Sequence, residues 1–159
     1  MQPKHPLLAT LPQFLPLAVR WVESRESEIL ANGIRMSPDQ QQDARSASVA
    51  FPEKIRLRII CEIPVPSDPL LNEAAREIGL LGFATTGLAL RYGIFIREDM
   101  RFNRELLIHE FVHVGQYERL GSIGAFLRSY LQECIDLGYP LGPMEQEAIC
   151  TARKIVRGA

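Results

Sequence analysis

The stretch from Leu106 to Leu120 constrains this chain more than any other, because it sets two histidines and a glutamate among apolar side chains. Apolar residues cover most of the circumference that a helix would have here, so we predict a buried helix. Asn103 is a suitable N-cap for it and Gly121 a suitable end. Burying unpaired polar groups is costly, so the polar residues of this helix need partners inside the fold.

Three of these polar residues, His109, Glu110 and His113, form the pattern H-E-x-x-H. Residues four apart on a helix lie on one face, one turn from each other, so both imidazoles can reach the same metal ion. Glu110 lies beside that position, where its carboxylate can hold a water molecule that the metal polarises. The pattern predicts a zinc-dependent hydrolytic site; the alternative is two core histidines beside an ion-paired glutamate.

A catalytic zinc ion usually has three protein ligands and one open position. No third histidine follows the motif, so we expect a carboxylate to complete the set. The downstream acidic residues are Glu118, Glu133, Asp136, Glu145 and Glu147. Glu118 lies on the motif helix and faces away from the site. Glu133 and Asp136 lie in a predicted helix that covers the motif helix. Residues 144–148 follow two sharp turns that let the chain fold back, which favours the last two acids.

The motif continues as HEFVHVGQY, which includes Gln116 and Tyr117, and the last helix carries E-x-E-A between Glu145 and Ala148. In these residues the chain resembles the gluzincins, zincin-like metallopeptidases with a glutamate as third ligand, and above all their smallest members. The resemblance covers roughly residues 82–156. It implies an α+β, mostly helical zincin-like domain with a small sheet beside the motif helix.

The resemblance also implies that the chain hydrolyses a peptide or protein substrate with Zn²⁺ as cofactor. The implied zinc ligands are His109, His113 and Glu145. Glu110 would take a proton from water and pass it to the leaving amine. Ile149 departs from the aspartate that these families often have, which leaves the choice between Glu145 and Glu147 open. A catalytically silent metal-binding or protein-interaction module is the alternative, and a fourth protein ligand would favour it.

Hydrolysis also needs a hydrogen-bond donor for the oxyanion that forms on the substrate. The candidates are Tyr117, Tyr130 and Tyr139. We predict this role for Tyr139, which directly precedes the last helix, and a packing role for Tyr130.

The 159 residues, 47% of them hydrophobic, suit a single domain spanning 1–159. The net charge is −1 without a basic stripe, so we expect no nucleic-acid partner. No apolar run is long enough to span a bilayer. The three cysteines are widely spaced and form no CxxC, which predicts buried free thiols and a reducing, cytoplasmic location.

Residues 1–12 contain three prolines, and we expect them to be irregular. The other helices are predicted at 14–31, 38–47, 70–78, 122–137 and from 143 onward. Strands are predicted at 54–63, with one wet face, and at 84–90 and 94–97. The edge of the latter pair could lie beside the site and bind an extended peptide. The helical segment 1–36 is expected to pack on the domain, although it could instead cover the site as a pro-segment.

Overall fold

The structure, a computed structural model, describes residues 6–82 and 84–158. Its helices are α1 (Pro6–Asn32), α2 (Pro38–Ser46), α3 (Pro69–Ile78), α4 (Arg104–Leu120), α5 (Ile123–Leu137) and α6 (Pro143–Val156). Its strands are β1 (Ile34–Arg35), β2 (Arg56–Ile60), β3 (Gly87–Leu90) and β4 (Gly93–Arg97). Short 3₁₀ turns occupy Pro52–Lys54 and Glu98–Met100. The predicted α+β, mostly helical class with a small sheet is confirmed.

The four strands form a mixed sheet in the order β1-β2-β4-β3. β2 and β4 run parallel, whereas the β1–β2 and β3–β4 pairs are antiparallel. β3 is therefore an edge strand, and α4 packs against it. The sheet thus lies beside the motif helix.

Both faces of the sheet are covered by helices. Leu90 and Phe95 point into a core built with α1, α3 and α5, and Ile94 and Ile96 point into a second core with α4 and α6. The prediction of a wet face on β2 is wrong. Arg58 on that face is half-buried beneath α1 and lies 3.3 Å from Glu28. The long arginine stem covers apolar surface there while its charged end meets the helix carboxylate.

Helix α1 begins earlier than predicted, because residues 6–12 are helical despite Pro12. Leu7 and Leu11 are buried in the core that α1 shares with α5. Burial of these two leucines offsets the lost backbone hydrogen bond of a proline inside a helix. Residues 1–5 of the segment predicted as irregular lie outside the described residues.

The remaining helix ends agree closely with their local signals. Ser37 forms a capping box with Gln40, and the side chains of Asp68 and Ser122 cap α3 and α5. β2 and β3 are shorter than predicted, with β2 starting only after the 3₁₀ turn, whereas β4 is one residue longer. The first hairpin strand starts at Gly87, and residue 83, in the stretch before it, lies outside the described residues. The two-residue β1 was not predicted.

All three cysteines are free thiols, but the expected burial is correct for one of them. Cys134 is buried, whereas Cys61 and Cys150 are exposed. The wide spacing in sequence excluded a disulfide framework but carried no information about whether each thiol is buried. Within the described ranges, each helix is too short or too polar to cross a membrane.

Helix α1 is tied to the β3–β4 turn by a buried carboxylate. Glu26 is 3% exposed and accepts hydrogen bonds from Arg91 at 2.7 to 3.1 Å and from the backbone of Tyr92 at 3.1 Å. Replacing it leaves these donors without their acceptor. We expect Glu26→Ala to lower the free energy of unfolding by about 2 to 3 kcal/mol in urea titrations. Glu23→Ala, on the exposed face of the same helix, should change it by less than about 0.5 kcal/mol.

Candidate metal centre

Helix α4 carries the motif into the interior between β3 and α6. The Asn103 side chain accepts a hydrogen bond from the backbone of Leu106 at 2.9 Å, and Gly121 ends the helix with a φ of 87°. Both ends were predicted from the sequence. Because these local signals fix the helix limits, the turn that bears His109 and His113 lies in regular helix.

Three side chains converge where α4 meets α6. The Nε2 atoms of His109 and His113 are 3.1 Å apart. The Glu145 carboxylate lies 2.9 Å from the first of these nitrogens and 3.2 Å from the second. Within residues 6–82 and 84–158, these three residues form the one group of His, Cys, Asp or Glu side chains that could hold a metal ion.

The N-terminus of α6 determines which glutamate reaches this group. Pro143 begins the helix, and the Glu133 carboxylate accepts a hydrogen bond from the backbone of Met144 at 2.8 Å. This places Glu145 in the cluster and buries it, with 3% exposed. Glu147 lies on another face, where its carboxylate pairs with Arg119 at 2.9 Å. Of the two acids that the sequence left open, Glu145 is therefore the one beside the histidines.

The spacing of these atoms fits the ligands of one metal ion. For bonds of about 2.0 to 2.1 Å, tetrahedral ligand atoms lie roughly 3.3 Å apart, close to the observed separations. Each of the three groups presents a lone pair when imidazole is neutral and carboxylate is ionised. Buried together without a cation, these lone pairs repel one another. The site can therefore hold a divalent metal ion.

The pKa shifts within the cluster also favour a bound cation. Burial disfavours the charged imidazolium of His113, but the hydrogen bond to Glu145 and the charges of Glu110 and Glu145 together outweigh it, so the pKa of His113 is raised. Burial disfavours the Glu145 carboxylate too, but the hydrogen bonds to both histidines outweigh it and lower its pKa. The cavity thus favours a positive charge between the imidazoles and the carboxylate.

Glu110 lies next to this cluster and against the sheet edge. It is 5% exposed, and an ideal Cβ built on Gly87 would lie 2.7 Å from its carboxylate oxygen. Burial raises the pKa of Glu110, while the charges of the two histidines and a hydrogen bond from the Ala89 backbone lower it. The net pKa is raised, which makes the carboxylate a stronger proton acceptor than an exposed glutamate.

Two tyrosines from the predicted set stand near the cluster. The Tyr130 hydroxyl donates to the Glu145 carboxylate at 2.7 Å, so its expected role in packing alone is incomplete. Tyr139, the predicted oxyanion donor, is 44% exposed and lines the same cavity as Glu110. Burial, and next the charge of Glu145, raise the pKa of Tyr139 to about 12, so its hydroxyl keeps its proton at neutral pH. Tyr117 is buried and stacks on Phe126.

A cavity of about 780 Å³ runs from the cluster between β3 and the helices. Its apolar part is lined by residues that include Phe14, Trp21, Leu71, Ile78 and Leu127. Its ionisable residues are Glu105, His109, Glu110, His113, Tyr117, Tyr130, Tyr139, Glu145 and Arg153. Well-packed interiors contain few voids larger than a water molecule, whereas ligand pockets measure roughly 300 to 1,000 Å³. The cavity has the size of a ligand site.

Comparisons with known proteins assign no family to this chain, so a function has to be inferred from the geometry of the site. No protein-family model, no curated protein and no solved structure matches the chain. The resemblance to gluzincins therefore stays a prediction from the motif.

The sequence analysis named Gln116 in the extended motif but predicted no role for it, although the residue is buried at the site. Its side-chain oxygen lies 2.8 Å from Nδ1 of His113, and its nitrogen donates to Met144 and Glu147. The spacing of three residues between His113 and Gln116 could have predicted their contact, because it places both side chains on one helix face.

Metal binding can be measured directly on the purified chain. We expect one equivalent of Zn²⁺ to bind, and saturation at about a thousandfold above Kd to stabilise the fold by about 4 kcal/mol. His113→Ala and Glu145→Ala should abolish binding in isothermal titration, since each removes a convergent ligand. Glu147→Gln is the matched control and should bind as the wild type does, because its amide oxygen can still accept the hydrogen bond from Gln116. Retained binding by Glu145→Ala with loss in Glu147→Gln would contradict the ligand assignment.

Proposed function

We propose that this chain is a zinc-dependent peptidase with Glu110 as its general base. The observation that carries the proposal is the convergence of His109, His113 and Glu145 directly beside a buried Glu110, all facing one cavity. Two imidazole nitrogens and one carboxylate oxygen are a ligand set that zinc accepts. Three protein ligands rather than four are typical of catalytic zinc sites, because the remaining position is left for water or substrate.

The chain's own residues supply the proton transfers. A zinc ion bound at this site supplies Lewis acidity, which polarises a substrate carbonyl and acidifies water. The raised pKa of Glu110 lets its carboxylate take a proton from attacking water and return it to the leaving amine. Tyr139 lines the same cavity, and its protonated hydroxyl is our candidate donor to the oxyanion.

The sheet edge supports a peptide as the substrate. The backbone of Arg97 donates to Thr86 at 2.8 Å, so Thr86 faces β4 and the next residue, Gly87, directs its backbone groups away from β4. Ala89 follows with the same orientation, but its N–H donates to Glu110, so a peptide would pair with the Gly87 backbone and the Ala89 carbonyl. An extended peptide can pair with such an edge, and its scissile bond would then pass beside Glu110. Apolar side chains of the peptide can enter the cavity.

Replacing the general base tests the reaction. Glu110→Gln keeps the shape of the side chain but cannot take a proton, so we expect peptide hydrolysis to fall by roughly 10²- to 10⁴-fold with unchanged zinc affinity. Glu118→Gln, on the same helix but bound to the backbone of Ala50 and Phe51, should retain activity per folded molecule. A zinc-loaded wild type that cleaves nothing in a broad peptide library would instead favour the silent binding module.

The glycine at the sheet edge provides a second test. A methyl group on Gly87 would meet the Glu110 carboxylate at 2.7 Å and push it from its position. We therefore expect Gly87→Ala to lower kcat by about 10-fold or more, because misplacement of about 1 Å can cost up to 10²-fold. Gly82→Ala is the matched control, since it lines the same cavity but has no heavy atom within 4 Å of its ideal Cβ. Equal kcat values for the two variants would refute a positional role for Gly87.

A further inference from the structure

Gln116 is a buried amide whose contacts the proposed reaction does not use. It is 0% exposed and lies three residues after His113 on α4. Its Oε1 is 2.8 Å from Nδ1 of His113, and its Nε2 donates to the Met144 carbonyl at 2.9 Å and to the Glu147 carboxylate at 2.8 Å. Both polar atoms of the amide are thus engaged, on two different helices.

These partners fix the orientation of the amide. A backbone carbonyl and a carboxylate can only accept hydrogen bonds, so the NH₂ group of Gln116 must face Met144 and Glu147. The amide oxygen consequently faces His113 and can only accept. Nδ1 of His113 therefore carries the proton, and in the neutral ring the lone pair is on Nε2. That lone pair points to Nε2 of His109 and the Glu145 carboxylate.

We propose that Gln116 is a positioning residue that holds His113 in the Nδ1–H tautomer and docks α6 against α4. The inference rests on the proposed zinc site but not on hydrolysis. The Gln116 side chain aligns two of the three ligands. Its oxygen contacts His113, and its nitrogen bonds to Met144 and Glu147, which lie on either side of Glu145 on α6. Gln116 thus supplies the acceptor that a metal-ligating histidine usually has for its other ring N–H.

The tautomer can be read from the wild-type chain by ¹⁵N NMR of its histidine rings. We expect His113 to show a protonated Nδ1 in the zinc-loaded protein and also in the metal-free protein at alkaline pH, where the ring is neutral. A protonated Nε2 in either state would overturn the proposal. The metal-free measurement decides the matter even if no zinc binds, in which case the proposed function alone fails.

The Gln116→Met variant tests the consequence for the metal. It keeps the length of the side chain but removes its acceptor and both donors, so we expect zinc affinity to fall about 10- to 100-fold. His113 should then populate both tautomers in the metal-free protein. Gln132→Met is the control, since Gln132 bonds within its own helix to Asp136 and should keep its affinity within about twofold.

A purely structural role for Gln116 predicts a different result. In that case Gln116→Met would lower the Tm of the metal-free protein while leaving the His113 tautomer and the zinc affinity of the folded fraction unchanged, and the proposal would be wrong. If the variant does not fold, the wild-type tautomer remains the deciding measurement. Loss of peptidase activity without a change in zinc affinity would also contradict the proposal.

Discussion

Repulsion among buried lone pairs is the constraint on which the site depends. The packing of α4 on α6 brings His109, His113 and Glu145 within 3.2 Å of one another, where little water can reach them. A hydrogen-bonding proton or a metal ion must lie among them for the arrangement to be stable. The pKa of His113 is raised and that of Glu145 is lowered, so both shifts favour a protonated imidazole beside an ionised carboxylate.

The contact between α4 and α6 combines an apolar core with a polar cluster. Gln116 bridges the two helices, Tyr130 donates from α5 to the Glu145 carboxylate, and Glu133 caps the start of α6. Because each buried polar group here has a partner, the cluster can sit deep in the fold at small cost. The same hydrogen bonds limit the positions that the ligands can take, which favours a preorganised site.

Local signals predicted helix limits well, whereas packing against distant residues decided the exceptions. Asn103, Ser37 and Gly121 act within one turn of chain, so their effects could be inferred from adjacent residues. Pro12 predicted irregular chain, but burial of distant apolar surface kept α1 helical. The arginine face of β2 was predicted to be wet because nothing in that strand indicates that α1 covers it.

The sequence by itself determined that His109, Glu110 and His113 share one buried helix, and the 3.6-residue period then places both imidazoles on one face. Tertiary structure decided which carboxylate joins them. Glu145 and Glu147 are two residues apart on α6 and point to different sides, and only the docking of that helix separates their roles. The clearance that Gly87 gives to Glu110 also depends on contacts between distant parts of the chain, which no local pattern encodes.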